Sequence, residues 1–229
     1  MPLNPAKGNM YGYITHTYNA IKGECPHQCG YCYMRRFGKQ PPLHFDEREL
    51  KTDLGSGNIV FVGSSCDMWA DAIPVKWIEK TLEHCWEYPH NKYIFQSKNP
   101  YRFSEFQGDF PECYALGTTI ETDLATGVSC APTTPTRSAG MFLAPAEERF
   151  ITVEPIMDFY MYGMLRLLRG AKVDYINIGA DSGKNNLPEP SKEQVLDLIA
   201  ELEALGIEVR QKPNLARIIN EVGKKEVKQ

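Results

Sequence analysis

Seven short runs rich in β-branched and aromatic residues punctuate the chain: YITHTYNAI (13–21), NIVFVG (58–63), KYIFQS (92–97), YALGTTI (114–120), RFITVEP (149–155), VDYINIG (173–179) and IEVRQK (207–212). Between them the apolar positions shift to a helical period. VKWIEKTLEHCWEY (75–88) follows Pro74 and brings Trp77, Ile78, Leu82, Cys85 and Trp86 to helical spacing. FYMYGMLRLLRG (159–170) ends on Gly170. SKEQVLDLIAELEALG (191–206) opens with a Ser cap, has Gln194 three residues on, and stops at Gly206. DERELKTDL (46–54) predicts a shorter helix with an Asp cap and acids in its first turn. SCAPTTPTRSAG (129–140) is rich in Pro, Thr and Ser and reads as a surface loop.

Strand and helix alternate about every 25 to 35 residues, the signature of right-handed βαβ units around a parallel sheet. The expected fold is α/β: a partial (β/α)6-type TIM barrel of parallel strands with outer helices and a seventh strand. A doubly wound open sheet is the alternative. The 229 residues suit one domain spanning 1–229, with a frayed tail at about 223–229.

Composition changes this picture little. Apolar and charged fractions are those of an ordinary globular chain. The formal net charge of −4 carries no electrostatic footprint of a protein that coats nucleic acid. Arg35, Arg36 and Lys39 form a local basic stretch, the kind that is usually a solvated face. No apolar run reaches the length of about 18 residues that a membrane span needs, and the N-terminus lacks the apolar stretch of a secretory signal. The expected compartment is the reducing cytoplasm, where seven cysteines are metal-binding, catalytic or buried rather than disulfide-bonded.

Three of those cysteines fall within eleven residues, GECPHQCGYCY (23–33), spaced C-x3-C-x2-C as Cys25, Cys29 and Cys32. They follow the first predicted strand, at the carboxyl end where sites gather in parallel sheets. A closed zinc site would need a fourth ligand from His27, Cys66, Cys85, Cys113 or Cys130, and none of these belongs to a second C-x2-C pair. An ordinary four-cysteine iron–sulfur cluster is likewise one local thiolate short. Three thiolates make sense if one metal corner stays open for a ligand.

C-x3-C-x2-C with an aromatic before the last cysteine resembles the cluster motif of the radical S-adenosylmethionine (radical SAM) superfamily. The resemblance implies a [4Fe–4S] cluster held by Cys25, Cys29 and Cys32. S-adenosylmethionine (SAM) would chelate the open iron and be cleaved reductively to a 5′-deoxyadenosyl radical that abstracts hydrogen from a substrate. It implies Tyr31 near the adenine and Gly63, Ser64 and Ser65 in a turn that binds the SAM amino group. Asp67 stands in for the acid that usually ends that turn, or caps the loop. Gln96, Ser97 and Lys98 would project from the third strand end, with Lys98 set to meet a carboxylate or phosphate, or solvated.

Thr118, Thr119 and Glu121 resemble the ribose-binding position, although Thr also suits a strand for its own sake. Glu154, inside an apolar run, needs a partner or a job; Asn177 and Asp181 also stand at a strand end. The wider pattern resembles a branch of the superfamily widespread in phage and bacterial genomes. More distantly it resembles the spore photoproduct lyase family, which repairs a thymine lesion in DNA with a cysteine as hydrogen donor. Cys66 lies near the place of such a thiol, or is a small buried hydrophobe. The implied partners are a flavodoxin or ferredoxin reductant and a nucleobase, nucleotide or nucleic-acid substrate, with no membrane. A zinc- or cluster-stabilised binding module without SAM chemistry is the alternative.

Overall fold

The computed structural model describes residues 2–220; the expected fraying at 223–229 lies outside them. The strands are β1 (Asn4–Pro5), β2 (His16–Tyr18), β3 (Ile21–Lys22), β4 (His44–Phe45), β5 (Ile59–Val62), β6 (Lys92–Ser97), β7 (Tyr114–Thr119), β8 (Glu148–Val153), β9 (Tyr175–Ile178) and β10 (Glu208–Gln211). The long helices are α1 (Val75–Trp86), α2 (Thr134–Phe142), α3 (Met161–Gly170) and α4 (Lys192–Ala204). The first predicted run splits into β2 and β3, and the helix expected at 46–54 is a short 3-10 turn, Glu47–Lys51, capped by the Asp46 carboxylate.

One sheet runs β1-β2-β5-β6-β7-β8-β9-β10, antiparallel only between β1 and β2. From β2 onward spatial order follows chain order. A doubly wound sheet reverses direction at a switch point; this one never does, so successive crossovers wind the same way and the sheet curves into a partial barrel. The seven parallel strands are the six expected plus the seventh.

The loop expected at 129–140 is a helix over much of its length. Thr133 caps α2, its Oγ1 accepting from the Thr136 amide, and a proline stands in the first turn, where its missing N–H costs nothing. Ser191 and Gln194 form the expected capping box of α4. No described helix is long and apolar enough to cross a membrane.

The strand side chains alternate between two cores. Val60, Tyr93, Phe95, Leu116, Ile151, Val153, Ile176 and Ile178 join the larger core, shared with α1, α3 and α4. Phe61, Ile94, Ala115, Phe150 and Tyr175 point the other way and are closed off by Tyr11 and Ile14 of the N-terminal segment. Phe150 stacks on Tyr175 at 5.4 Å and fills the space over Gly117, where a Cβ would lie 2.2 Å from Cζ of the ring. Gly117 is thus a packing requirement rather than a turn.

That close approach gives the first prediction. Gly117→Ala lowers unfolding free energy by about 1–3 kcal/mol, the usual range for overpacking, measured by urea denaturation. Phe150→Leu, added in the same chain, recovers part of the loss; equal stability of Gly117→Ala and the parent refutes the packing account.

Candidate functional site

One cavity of about 520 Å³ opens among the carboxyl ends of the parallel strands, a size typical of cofactor sites. Cys25, Cys29 and Cys32 all line it. They lie on an irregular loop between β3 and a 3-10 helix, Tyr33–Phe37, whose N-cap is Cys32. The loop is folded by its own backbone bonds, Gln28 N to Cys25 O at 3.1 Å and Cys32 N to Cys29 O at 3.1 Å, and Gln28 takes positive φ. Among the described residues no three His, Cys, Asp or Glu side chains converge on a single metal ion. A polynuclear cluster differs from such a site: each thiolate binds its own iron. Three thiols around one cavity fit that donor set.

Cys66 also lines the cavity but is almost fully buried. Its thiol donates to Cys25, which is thereby pulled down against the opposing effect of its own burial. Giving up that bond, together with burial, drives Cys66 strongly up. Burial raises Cys29. Asp67 follows at the end of the β5 turn. Burial alone would raise its carboxyl, but His27, with Nε2 2.9 Å from Oδ2, and the amides of Lys98 and Trp69 outweigh that and hold it low. Ser97 Oγ donates to the same oxygen at 3.0 Å. Asp67 therefore ties the cysteine loop, through His27, to the end of β6.

The turn expected to bind an amino group is present. Gly63 has φ 80°, in the left-handed region, and Ser64 and Ser65 donate to Asn19 Oδ1 at 3.2 and 3.1 Å. All three line the cavity.

On β6 and β7, Gln96 Nε2 donates to Thr119 Oγ1 at 2.9 Å, and Lys98 Nζ stands 3.4 Å from the same hydroxyl and 5.4 Å from the Tyr31 ring centre. Gln96, Ser97, Lys98 and Thr119 face the cavity, as does Tyr31. Two expected residues do not. Thr118 is fully buried on the opposite face of β7 and donates to Ser97 O at 2.7 Å, because strand side chains alternate and only Thr119 can face inward. Glu121 is not among the lining residues; it stands behind Tyr31 and Lys98, held by Arg137 and the Tyr31 hydroxyl. Of the three residues expected at a ribose-binding position, Thr119 alone is among those that line the cavity.

At the far wall Glu154 has the partner its burial demands. It accepts from Lys212 Nζ at 2.5 Å, Asn9 Nδ2 at 2.5 Å and Asn214 Nδ2 at 2.6 Å. Asn177 is buried beneath, on the inward face of β9, and Asp181 organises its own loop by accepting from Gly183 N and from Asn185; neither lines the cavity.

Sequence reasoning missed several wall residues. Tyr11 donates to Gln96 Oε1 at 2.6 Å and meets Thr152 Oγ1 at 2.5 Å, and burial raises its phenol well above the usual value. Tyr11 and Asn9 sit in an irregular segment with no periodicity to betray them. Lys212, one residue past β10, stood at a strand end and was findable by the rule that found Lys98. Arg137 was hidden by the loop reading of its segment.

The neighbouring structures are variants and complexes of spore photoproduct lyase. A tyrosine-to-phenylalanine variant superimposes with a TM-score of 0.64 at 9% identity, covering 92% of this chain and 80% of that one. The lyase complexed with dinucleoside spore photoproduct gives 0.62 at 11%, covering 89% and 78%. A variant with bound AdoMet and dinucleoside spore photoproduct gives 0.56 at 12%, covering 86% and 63%. At such identities the likeness is one of fold. No curated protein matches the chain. The model of the family described as "Protein of unknown function (DUF5131)" matches residues 10–196, and the chain belongs to that family.

Proposed function

We propose that this chain is a radical SAM enzyme whose cluster is held by Cys25, Cys29 and Cys32. The observation that carries the reading is that three closely spaced thiols and the polar ends of β5, β6, β7 and β8 line one cavity. A [4Fe–4S] cluster with an open iron would supply the electron that splits SAM and yields a hydrogen-abstracting 5′-deoxyadenosyl radical.

The chain's own residues bind and orient. The Gly63–Ser65 turn offers small residues and hydroxyls for an amino group, and Asp67 fixes the base of that turn. Lys98, 3.7 Å from Glu121 and not clamped by it, has ammonium hydrogens to spare for a carboxylate. Gln96, Thr119 and Thr152 present amide and hydroxyl groups to sugar hydroxyls. Tyr31 and Phe61 supply apolar ring surface for a base and exclude water from the wall they form.

Glu154 and Lys212 close the opposite wall, where a substrate would lie. Cys66, in the cavity beside Cys25, is positioned as a hydrogen-atom donor rather than a fourth ligand. The nucleobase, nucleotide or nucleic-acid substrate class is motivated by the dinucleoside spore photoproduct bound in a neighbouring structure. The reading carries with it a single partial-barrel domain, a phage and bacterial branch of the superfamily, a cytoplasmic setting and a flavodoxin or ferredoxin as electron donor.

Two predictions test it. Anaerobically reconstituted protein binds ~4 irons per chain, is brown, and changes its EPR spectrum when SAM is added. It forms 5′-deoxyadenosine with dithionite, and Cys29→Ala loses at least about a hundredfold of that activity, the scale on which ligand-shell changes act. Stoichiometric zinc, or a cluster indifferent to SAM, identifies a metal-stabilised binding module instead. The second prediction separates Cys66 from the ligands. Cys66→Ala retains ~4 irons after reconstitution while Cys25→Ala and Cys32→Ala do not; loss of iron in Cys66→Ala makes it a ligand and removes it as hydrogen donor.

A further inference from the structure

We infer that Arg137 and Glu121 are positioning residues for the cysteine loop, forming a buried strut that runs from α2 to the hydroxyl of Tyr31. The inference rests on the reading of Cys29 and Cys32 as cluster ligands, since Tyr31 stands between them in the chain. One Glu121 oxygen accepts from Arg137 Nη1 at 2.7 Å, and the other accepts from the Tyr31 hydroxyl. The guanidinium is itself fixed, donating to Thr119 O at 3.0 Å and to Pro132 O at 2.7 Å. Glu121 and Arg137 are 3% and 4% exposed, so neither charge has water to fall back on.

The strut has a rigid base. Ser138 Oγ ties α2 to Leu167 O at 2.6 Å, and Gly140 lets the helix lie against Tyr101, where a Cβ would stand 2.8 Å from the backbone nitrogen. Two backbone bonds grip the same loop from the segment leading into α2: Gly30 N to Val128 O at 2.7 Å and Cys130 N to His27 O at 2.8 Å. The loop is thus held at His27, Gly30 and Tyr31 from one side. Of these contacts only the third is a side-chain contact that a point substitution can remove. Glu121 lies behind Tyr31 and Lys98, which line the cavity, with Lys98 Nζ 3.7 Å from the oxygen that meets Tyr31; with both oxygens engaged, it acts through Tyr31.

The test uses the full chain without its cluster, so that it does not depend on loaded-enzyme activity. Alkylation of each cysteine by iodoacetamide is followed by mass spectrometry in the parent, Tyr31→Phe, Arg137→Met and Arg137→Lys. Tyr31→Phe removes one oxygen and leaves the packing. It raises the alkylation rates of Cys29 and Cys32 about tenfold, the change in local opening expected when one hydrogen bond to a charged group is lost. Buried Cys85 stays protected. Arg137→Met gives at least the same increase, Arg137→Lys restores part of the protection, and the double variant Tyr31→Phe/Arg137→Met is no faster than Arg137→Met alone.

Unchanged Cys29 and Cys32 rates in Tyr31→Phe, or an increase that Cys85 shares, overturns the strut. Failure of the parent protein to cleave SAM would instead remove the proposed function and leave the alkylation result standing.

Discussion

Three of the carboxylates that follow the carboxyl ends of the strands are held by groups from distant parts of the chain, and the arrangement of the site depends on how each is held. Asp67 gathers His27, a serine hydroxyl and two backbone amides; Glu121 takes Arg137; Glu154 takes Lys212 and two asparagine amides. A buried carboxylate left alone either protonates or destabilises the fold. These three instead become the fixed points to which irregular segments are tied. Asp67 and Glu121 each reach the cysteine loop, one through His27 and the other through Tyr31. Glu154 reaches the N-terminal segment through Asn9, and Lys212 donates to the carbonyl of the same residue at 2.6 Å. Loops too irregular to hold themselves are held by charge pairs that cannot separate cheaply.

The alternation of strand side chains divides this work. One face of β7 sends Leu116 and Thr118 outward into the helix-covered core, while Ala115, Gly117 and Thr119 face inward. Inward positions are apolar at the amino ends, where Phe61, Ile94, Phe150 and Tyr175 plug the barrel, and polar from Gln96 and Thr152 upward. The cavity exists because the ring layer stops one turn of the pleat below the strand ends.

The order of strands and helices was largely legible in the sequence. The parallel fold followed from the spacing of apolar runs, and the three cysteines that line one cavity stand out by their own spacing. What the sequence hid had physical causes. Thr118 and Thr119 look alike as residues, and only the register of β7 decides which faces the cavity. Glu121 has its partner Arg137 in a Pro/Thr-rich stretch, and the helix there is set by the Thr133 cap and by packing rather than by periodicity. Tyr11 and Asn9 are placed by contacts to strands far along the chain, which no local pattern encodes.

The likeness to spore photoproduct lyase, at 9–12% identity, must be weighed in the same terms. A curved parallel sheet needs little more than alternation, crossover handedness and a few small residues such as Gly117 to let rings pass, so the barrel is permissive about sequence and about chemistry. The cysteine loop is not permissive. Between its three cysteines, His27 meets Asp67, Tyr31 meets Glu121, and His27 and Gly30 pair through their backbone with the segment before α2. What is particular to this chain within a permissive fold is therefore the loop and its anchors, and the barrel contributes the walls against which the loop is held.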